Sequence, residues 1–231
     1  ARGEAPIRVA DGVESPYTRE RWPDTVLGCH EALGVVSLDP AGVMAPHPLF
    51  ESDDCDPEWT DQGVVSVERP GEDGTALLLF PYPDDPRVQT TGAIVLAEGV
   101  VSFEQAAGVA YALTPEGSLL RIDLADRSSM SVQSGVRKFV LSRDGRYLLL
   151  WMGDALNLVD TETGVTVSLG PIDDAMIFAF LEGDLFGVVD IARDQQRIYS
   201  LPGLNFVDLP PGTSLAEVLD DGRWLLVDHE G

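Results

Sequence analysis

Carboxylates dominate the side chains of this sequence that could do chemistry. Their densest group is Glu51-Ser52-Asp53-Asp54-Cys55-Asp56-Pro57-Glu58-Trp59. Several acids on one loop can surround a hard cation with oxygen, the ligand atom Ca²⁺ takes. Asp53, Asp54 and Asp56 are therefore the calcium candidates. Their spacing does not follow the EF-hand pattern of alternating acids, a central glycine and a closing glutamate. A solvated acidic loop fits the same residues. Cys55 lies inside this group, and the other cysteine is Cys29. A Cys29–Cys55 disulfide would close a loop of about 25 residues and stabilise by roughly 3 kcal/mol in the chain-entropy account. It would also place the protein in an oxidising compartment. Two unrelated thiols are the alternative; no CxxC or Cys/His cluster suggests a metal or redox role.

Nucleophilic catalysis needs a base beside a nucleophile. The histidines are His30, His47 and His229, and the chain has no G-x-S-x-G elbow. His30 adjoins Cys29, which the bridge to Cys55 already accounts for. The three histidines could meet at a metal only through the tertiary fold. Glycosidase-type chemistry needs two carboxyls about 5–10 Å apart across a cleft. Among 39 acidic residues some pair meets that spacing by chance, so the signal has no specificity. No P-loop or dinucleotide-binding glycine motif occurs. These residues describe a protein without a catalytic motif. A hydrolase or lyase with an acidic site is the competing class, and a structural domain of a larger protein is a third.

The formal net charge is -24, and Lys138 is the sole lysine. Such a surface repels phosphate backbones and anionic lipid, so nucleic acid and membrane are not expected partners. It suits cationic ligands, basic protein patches, or plain solubility. No apolar run reaches the roughly 18 residues that span a bilayer. Arginine bias with abundant Ala, Gly, Val and Asp suggests a high-GC bacterial or haloarchaeal source. The chain starts Ala1-Arg2-Gly3 without Met, as expected of a mature or trimmed product.

Whatever these residues do, β-strands must hold them. Residues 136–170 read as four strands, Val136–Ser142, Tyr147–Met152, Ala155–Asp160 and Val165–Leu169. Asp144-Gly145 between apolar runs is a hairpin signal, because glycine supplies a positive φ. Equivalent glycines follow at Gly34, Gly74, Gly108, Gly145, Gly183 and Gly222, spaced 40, 34, 37, 38 and 39 residues apart. A repeat of this length with four short strands is that of a propeller blade. The segments Ser142-Arg-Asp-Gly-Arg-Tyr-Leu-Leu-Leu150 and Leu158-Val-Asp-Thr-Glu-Thr-Gly164 carry a resemblance to the broad WD40/YVTN/TolB-like β-propeller class. Leu219–Val227 echoes the first segment. The Gly-His and Trp-Asp dipeptides of true WD40 repeats are absent.

The expected fold is all-β: a single β-propeller domain over 1–231, of six blades with four antiparallel strands each. The blades are placed at 25–60, 61–99, 100–135, 136–172, 173–212 and 213–231. The last has only two strands, and the N-terminal segment around Ile7–Ala10 is expected to complete it, since a closed ring exposes no long edge. Seven blades in a longer chain is the alternative. Residues 1–24 otherwise read as irregular, and the stretch from Met44 to Trp59 reads as a loop.

The resemblance also implies a binding face, made of the loops between second and third strands and between blades. On this reading they contain Asp84 and Asp85, Glu116, Asp154, Asp173 and Asp174, and Arg193 and Asp194. Trp22 and Trp59 flank the acidic stretch and could join that surface, tryptophan being enriched at hot spots; capping the first blade is the alternative. Trp151, Trp224, Phe139, Phe178 and Phe186 are expected in the core. Asp160 and Asp190 end apolar runs, where they satisfy turn N–H groups. The combined reading is a non-catalytic binding or scaffolding propeller, extracellular, periplasmic or on a bacterial cell surface, whose acidic face takes a protein or cationic ligand. No cofactor is expected unless calcium binds.

Overall fold

The computed structural model describes residues 13–19, 22–30, 34–38, 47–50, 58–68, 75–81, 92–181, 184–210, 213–218 and 224–228. All regular structure among them is β, so no helix is long and apolar enough to cross a membrane. By compactness the chain divides into two units. One comprises Ala1–Phe103, Ala110–Pro115 and Leu120–Met130; the other comprises Glu104–Val109, Glu116–Leu119 and Ser131–Gly231.

Each sheet follows chain order. The first contains β1 (Val13–Arg19), β2 (Trp22–His30), β3 (Gly34–Leu38) and β4 (His47–Phe50). The second contains β5 (Glu58–Trp59), β6 (Gly63–Glu68), β7 (Ala76–Pro81) and β8 (Ile94–Glu98). The third contains β9 (Ser102–Ala106), β10 (Val109–Leu113), β11 (Leu119–Asp123) and β12 (Ser129–Gln133). The fourth, β13 (Val136–Leu141), β14 (Tyr147–Met152), β15 (Ala155–Asp160) and β16 (Thr166–Pro171), matches the expected four strands to within two residues. The fifth contains β17 (Met176–Phe180), β18 (Leu185–Asp190), β19 (Gln195–Ser200) and β20 (Asn205–Asp208). A final pair, β21 (Thr213–Val218) and β22 (Trp224–Asp228), closes the list.

Burial within a sheet follows strand position. In β7 and β14 every residue but the last is buried. A continuous apolar run such as Tyr147-Leu-Leu-Leu-Trp151 needs cover on both faces. The fourth strands β12, β16 and β20 are mostly exposed, and they leave Met130, Val132, Val167, Phe206 and Val207 at the surface. In the first unit Val65, Leu77 and Leu79 pack with Ala110, Ala112 and Ile122. In the second, Tyr147, Leu149, Trp151, Leu156 and Leu158 of the fourth sheet pack with Ile172, Phe178, Phe186 and Tyr199. Trp151, Phe139, Phe178 and Phe186 are core residues, as expected. The side chain of Trp224 lies outside the described residues.

The first two repeats are out of phase with the expectation by one strand. Gly34 begins the third strand of its sheet and Gly74 precedes the third strand of the next, whereas Gly108 and Gly145 fall between first and second. The first sheet begins at Val13, inside the segment read as irregular, and His47–Phe50 and Glu58–Trp59 are strands rather than loop. The physical reason is that an apolar run followed by glycine marks any hairpin. It does not say which hairpin of the four-stranded unit it is. Ile7–Ala10, Asp53, Asp54, Cys55 and Asp56 lie outside the described residues, as do Asp84 and Asp85.

Candidate functional site

In the second unit, the turns after every second strand emerge at one end of their sheets, because antiparallel strands alternate direction. The connections β14–β15, β16–β17 and β18–β19 thereby gather Asp154, Asp173, Asp174, Arg193 and Asp194, all exposed. Glu116 lies in the β10–β11 turn, which Val136 N ties to the start of β13 by donating to Gly117 O at 3.0 Å. Glu116, Asp154, Asp173, Asp174, Arg193 and Asp194 thus all lie in exposed turns. Ile172 N donates to Asp154 O at 2.8 Å, and the Trp151 indole N–H donates to Gly153 O at 2.9 Å. These bonds hold the turns in place independently of their charged side chains.

Cations on this face are already partnered. Arg137 pairs with Asp174 at 3.2 Å while its guanidinium lies 4.3 Å from the Trp151 ring centroid. Arg193 pairs with Asp190 at 2.6 Å. No ion pair among the described residues neutralises Glu116, Asp154 or Asp173. Among the described residues these three carboxylates are uncompensated.

Asp190 does what its sequence position suggests, and more. Its Oδ1 accepts from Arg193 N at 3.0 Å, the expected turn role. Asp160 likewise accepts from the N–H groups of Glu162 and Thr163, both at 3.0 Å. Those backbone donors, Thr163 first, hold the Asp160 carboxyl below its ordinary range. Asp123, which begins the β11–β12 turn, accepts from Ala125 N at 2.9 Å. Each of these turns has a positive φ four residues after the aspartate: Arg127 at 63°, Gly164 at 72° and Asp194 at 49°. The same device that joins third and fourth strands at Asp123 and Asp160 joins second and third at Asp190. It makes a longer turn there than Gly153-Asp154 makes in the fourth sheet, and it carries Arg193 outward.

Beneath that turn, between the fourth and fifth sheets, lies a cleft of about 230 Å³. Leu156, Leu169, Ile172 and Met176 form one apolar wall, with Val188 and Tyr199 behind. The opposite rim carries Asp190, Arg193, Gln195, Gln196, Arg197 and Asp208. Arg197 and Asp208 are cross-strand partners, bonded through guanidinium Nε and Nη2 at 2.5 and 3.1 Å. Asp208 holds the Arg197 guanidinium above its ordinary range, and Arg197 holds the Asp208 carboxyl below its own. A row of aromatics, Phe180, Phe186, Tyr199 and Phe206, runs across all four strands beside them, with Phe186 and Tyr199 stacked at 4.6 Å. Arg197 lies 4.2 Å over Phe206. Of this row Tyr199 lines the cleft.

Of the cleft residues, sequence reasoning had named Arg193 and Asp190 and had missed Arg197 and Asp208. Counting outward from the β19–β20 turn, Ser200 opposite Asn205, brings Arg197 opposite Asp208. The cleft lining contains no Ser, Cys, Lys or His. It offers charge pairs, amides and apolar surface. Trp22 and Trp59 lie on β2 and β5 of the first unit, their side chains outside the described residues. Cys29 is on β2, with its candidate partner Cys55 undescribed. Among the described residues no group of three or more His, Cys, Asp or Glu could hold a metal.

No protein-family model matches the sequence, and no curated protein matches it. Solved structures do resemble it. Puromycin hydrolase aligns at a TM-score of 0.57 and 13% identity, over 93% of this chain and 42% of that one. Oligogalacturonate lyase in complex with manganese aligns at 0.54 and 10%, over 94% and 70%. Hsv2 of Kluyveromyces lactis aligns at 0.54 and 13%, over 82% and 62%. The chain thus spans about three fifths of the Hsv2 structure's length. At such identities the likeness is one of fold, and the neighbours include enzymes of different chemistry. Repeated four-stranded antiparallel sheets, successive in the chain and alike to these structures, place the chain in the broad β-propeller class.

Proposed function

We propose that this protein is a binding or scaffolding propeller whose acidic loop face takes a basic protein segment or another cationic ligand. The observation that carries the reading is the charge balance of that face: Arg137 and Arg193 are paired with aspartates, while Glu116, Asp154 and Asp173 have no cation beside them among the described residues. Uncompensated rim charge attracts an opposite partner and speeds its encounter, with a strong salt dependence. The charge pairs, amides and apolar surface of the cleft are suited to holding a ligand. A Cys29–Cys55 disulfide would fit a secreted or cell-surface setting. The ring on this reading has six blades, the last completed by the segment around Ile7–Ala10.

The test is titration of the protein with an arginine-rich peptide and with its glutamate counterpart, in low and high salt, followed by E116Q/D154N/D173N. The basic peptide alone should bind, and both salt and the triple variant should weaken it. Indifference to peptide charge, together with turnover in a panel of hydrolase and lyase substrates, would replace this reading with the enzyme one.

A further inference from the structure

The cleft beside the β18–β19 turn carries a recognition chemistry different from that of the acidic face. Asp190, Arg193, Arg197 and Asp208 line it, two charges of each sign. In a chain of net charge -24 that lining is locally neutral. The Arg193 side chain is 64% exposed and bonds Asp190 through Nη1 alone, so its other guanidinium donors stay open. Asp208 is 61% exposed on the far side. Gln195 and Gln196, paired in register with Asp190 and Val189, stand between them. The facing wall is shaped by a β-bulge. Leu156 pairs with Gly170 and Asn157 with Ser168, which leaves Leu169 as the extra residue. Bulges of this kind redirect a side chain, and Leu169 lines the cleft. The volume, about 230 Å³, is below the roughly 300–1,000 Å³ of drug-sized sites, so the occupant is small.

Charge complementarity selects among small occupants. A net anion meets the repulsive field of the whole molecule. A net cation meets two guanidinium groups, Arg193 and Arg197. A molecule with one charge of each sign avoids both penalties. We propose that the cleft binds a small zwitterion with an apolar body, of the class of a free apolar amino acid. Its carboxylate lies against the open edge of Arg193, its ammonium against Asp208, and its side chain against Leu156, Ile172 and Met176. This site goes beyond the basic-partner reading and stands or falls separately from it, since a peptide on the acidic rim does not require the cleft.

The probes are L-leucine, 4-methylpentanoate, which lacks the ammonium, and 3-methylbutylamine, which lacks the carboxylate. Binding is followed by NMR on the intact protein, with shifts read at Met176, Gln195 and Gln196. Leucine should perturb those three residues, and each half-ligand should bind at least about tenfold more weakly, the loss of one charged contact. R193Q should weaken leucine and leave 3-methylbutylamine unchanged. Absence of leucine binding overturns the proposal, as do shifts confined to other residues. Equal binding of either half-ligand overturns the zwitterion class. The ligand series on the unmodified protein decides the matter even where R193Q disturbs folding.

Discussion

Asp190 has two bonds of different kinds, and substitution separates them. One is the turn bond from Arg193 N at 3.0 Å; the other is the ion pair with Arg193 Nη1 at 2.6 Å. The Asp190 side chain is only 10% exposed, whereas Arg193 is 64% exposed. A pair with one end so open to water is screened, and such pairs contribute about 0.2–1 kcal/mol. The backbone bond is different, because losing its acceptor leaves the part-buried N–H of Arg193 without its partner, at a cost of about 1–3 kcal/mol. Asp190→Asn keeps an oxygen for Arg193 N and lets the guanidinium swing into solvent. It should cost less than about 1 kcal/mol. Asp190→Ala removes both bonds and should cost about 2 kcal/mol. Native-state hydrogen exchange at the Arg193 amide reads the turn bond directly. Exchange should quicken by about tenfold or more in the Ala variant, each 1.4 kcal/mol being a factor of ten, and change little in the Asn variant. Equal quickening in both variants would show that charge rather than the turn bond organises this loop. The assignment of Asp190 as a turn former would then be refuted.

Two further predictions concern stability and a third concerns the cysteines. Asp144 accepts from the Ser142 hydroxyl and from Arg146 N, and these, the hydroxyl first, hold its carboxyl below the ordinary range in the folded state. A depressed folded value means that this stabilisation is whole above the unfolded pKa of about 3.9 and is lost as pH falls below it toward the folded value. Thermal unfolding followed against pH should show that loss, and Asp144→Asn should flatten it; an unchanged slope would discount the Ser142 bond. Gly145 and Gly164 both have positive φ, 77° and 72°, but a Cβ at Gly145 would come 3.3 Å from Ala106 Cβ, whereas one at Gly164 meets nothing within 4 Å. Gly164→Ala should therefore cost the left-handed strain alone, about 1–2 kcal/mol, and Gly145→Ala more; equal urea midpoints would remove the packing contribution. Non-reducing mass analysis should find the chain two hydrogens lighter than its free dithiol form, with Cys29 and Cys55 in one linked peptide. Two alkylatable thiols would dismiss that bridge.

Much of the fourth sheet was legible because its signals are local. An apolar run, a glycine able to take positive φ and an aspartate that accepts from its own turn all act within a few residues. Residues 136–170 have all three, and their strands lie where the pattern puts them. The same reasoning read Asp160 and Asp190 as turn formers, and both bond turn N–H groups. It misplaced the phase of the first two sheets, because a hairpin does not reveal its rank among four. Val13–Arg19 and His47–Phe50 were missed for a related reason. Both contain proline and polar residues, and edge strands tolerate these because one side of the backbone needs no partner.

Charge, strand patterning and the spacing of turn glycines by themselves determined that this chain is acidic, all-β and repetitive, and that its turns would carry carboxylates. Only the tertiary structure decided which of those carboxylates have arginine partners. Asp174 meets Arg137 across 37 residues, and Asp208 meets Arg197 through strand register. Only the tertiary structure, too, set Leu156 and Met176 opposite Arg193 and Gln195 to make a cleft. The physical reason is range. Turn geometry is settled by neighbours in the chain, whereas a cleft is what remains where two sheets, each satisfied internally, pack incompletely against one another.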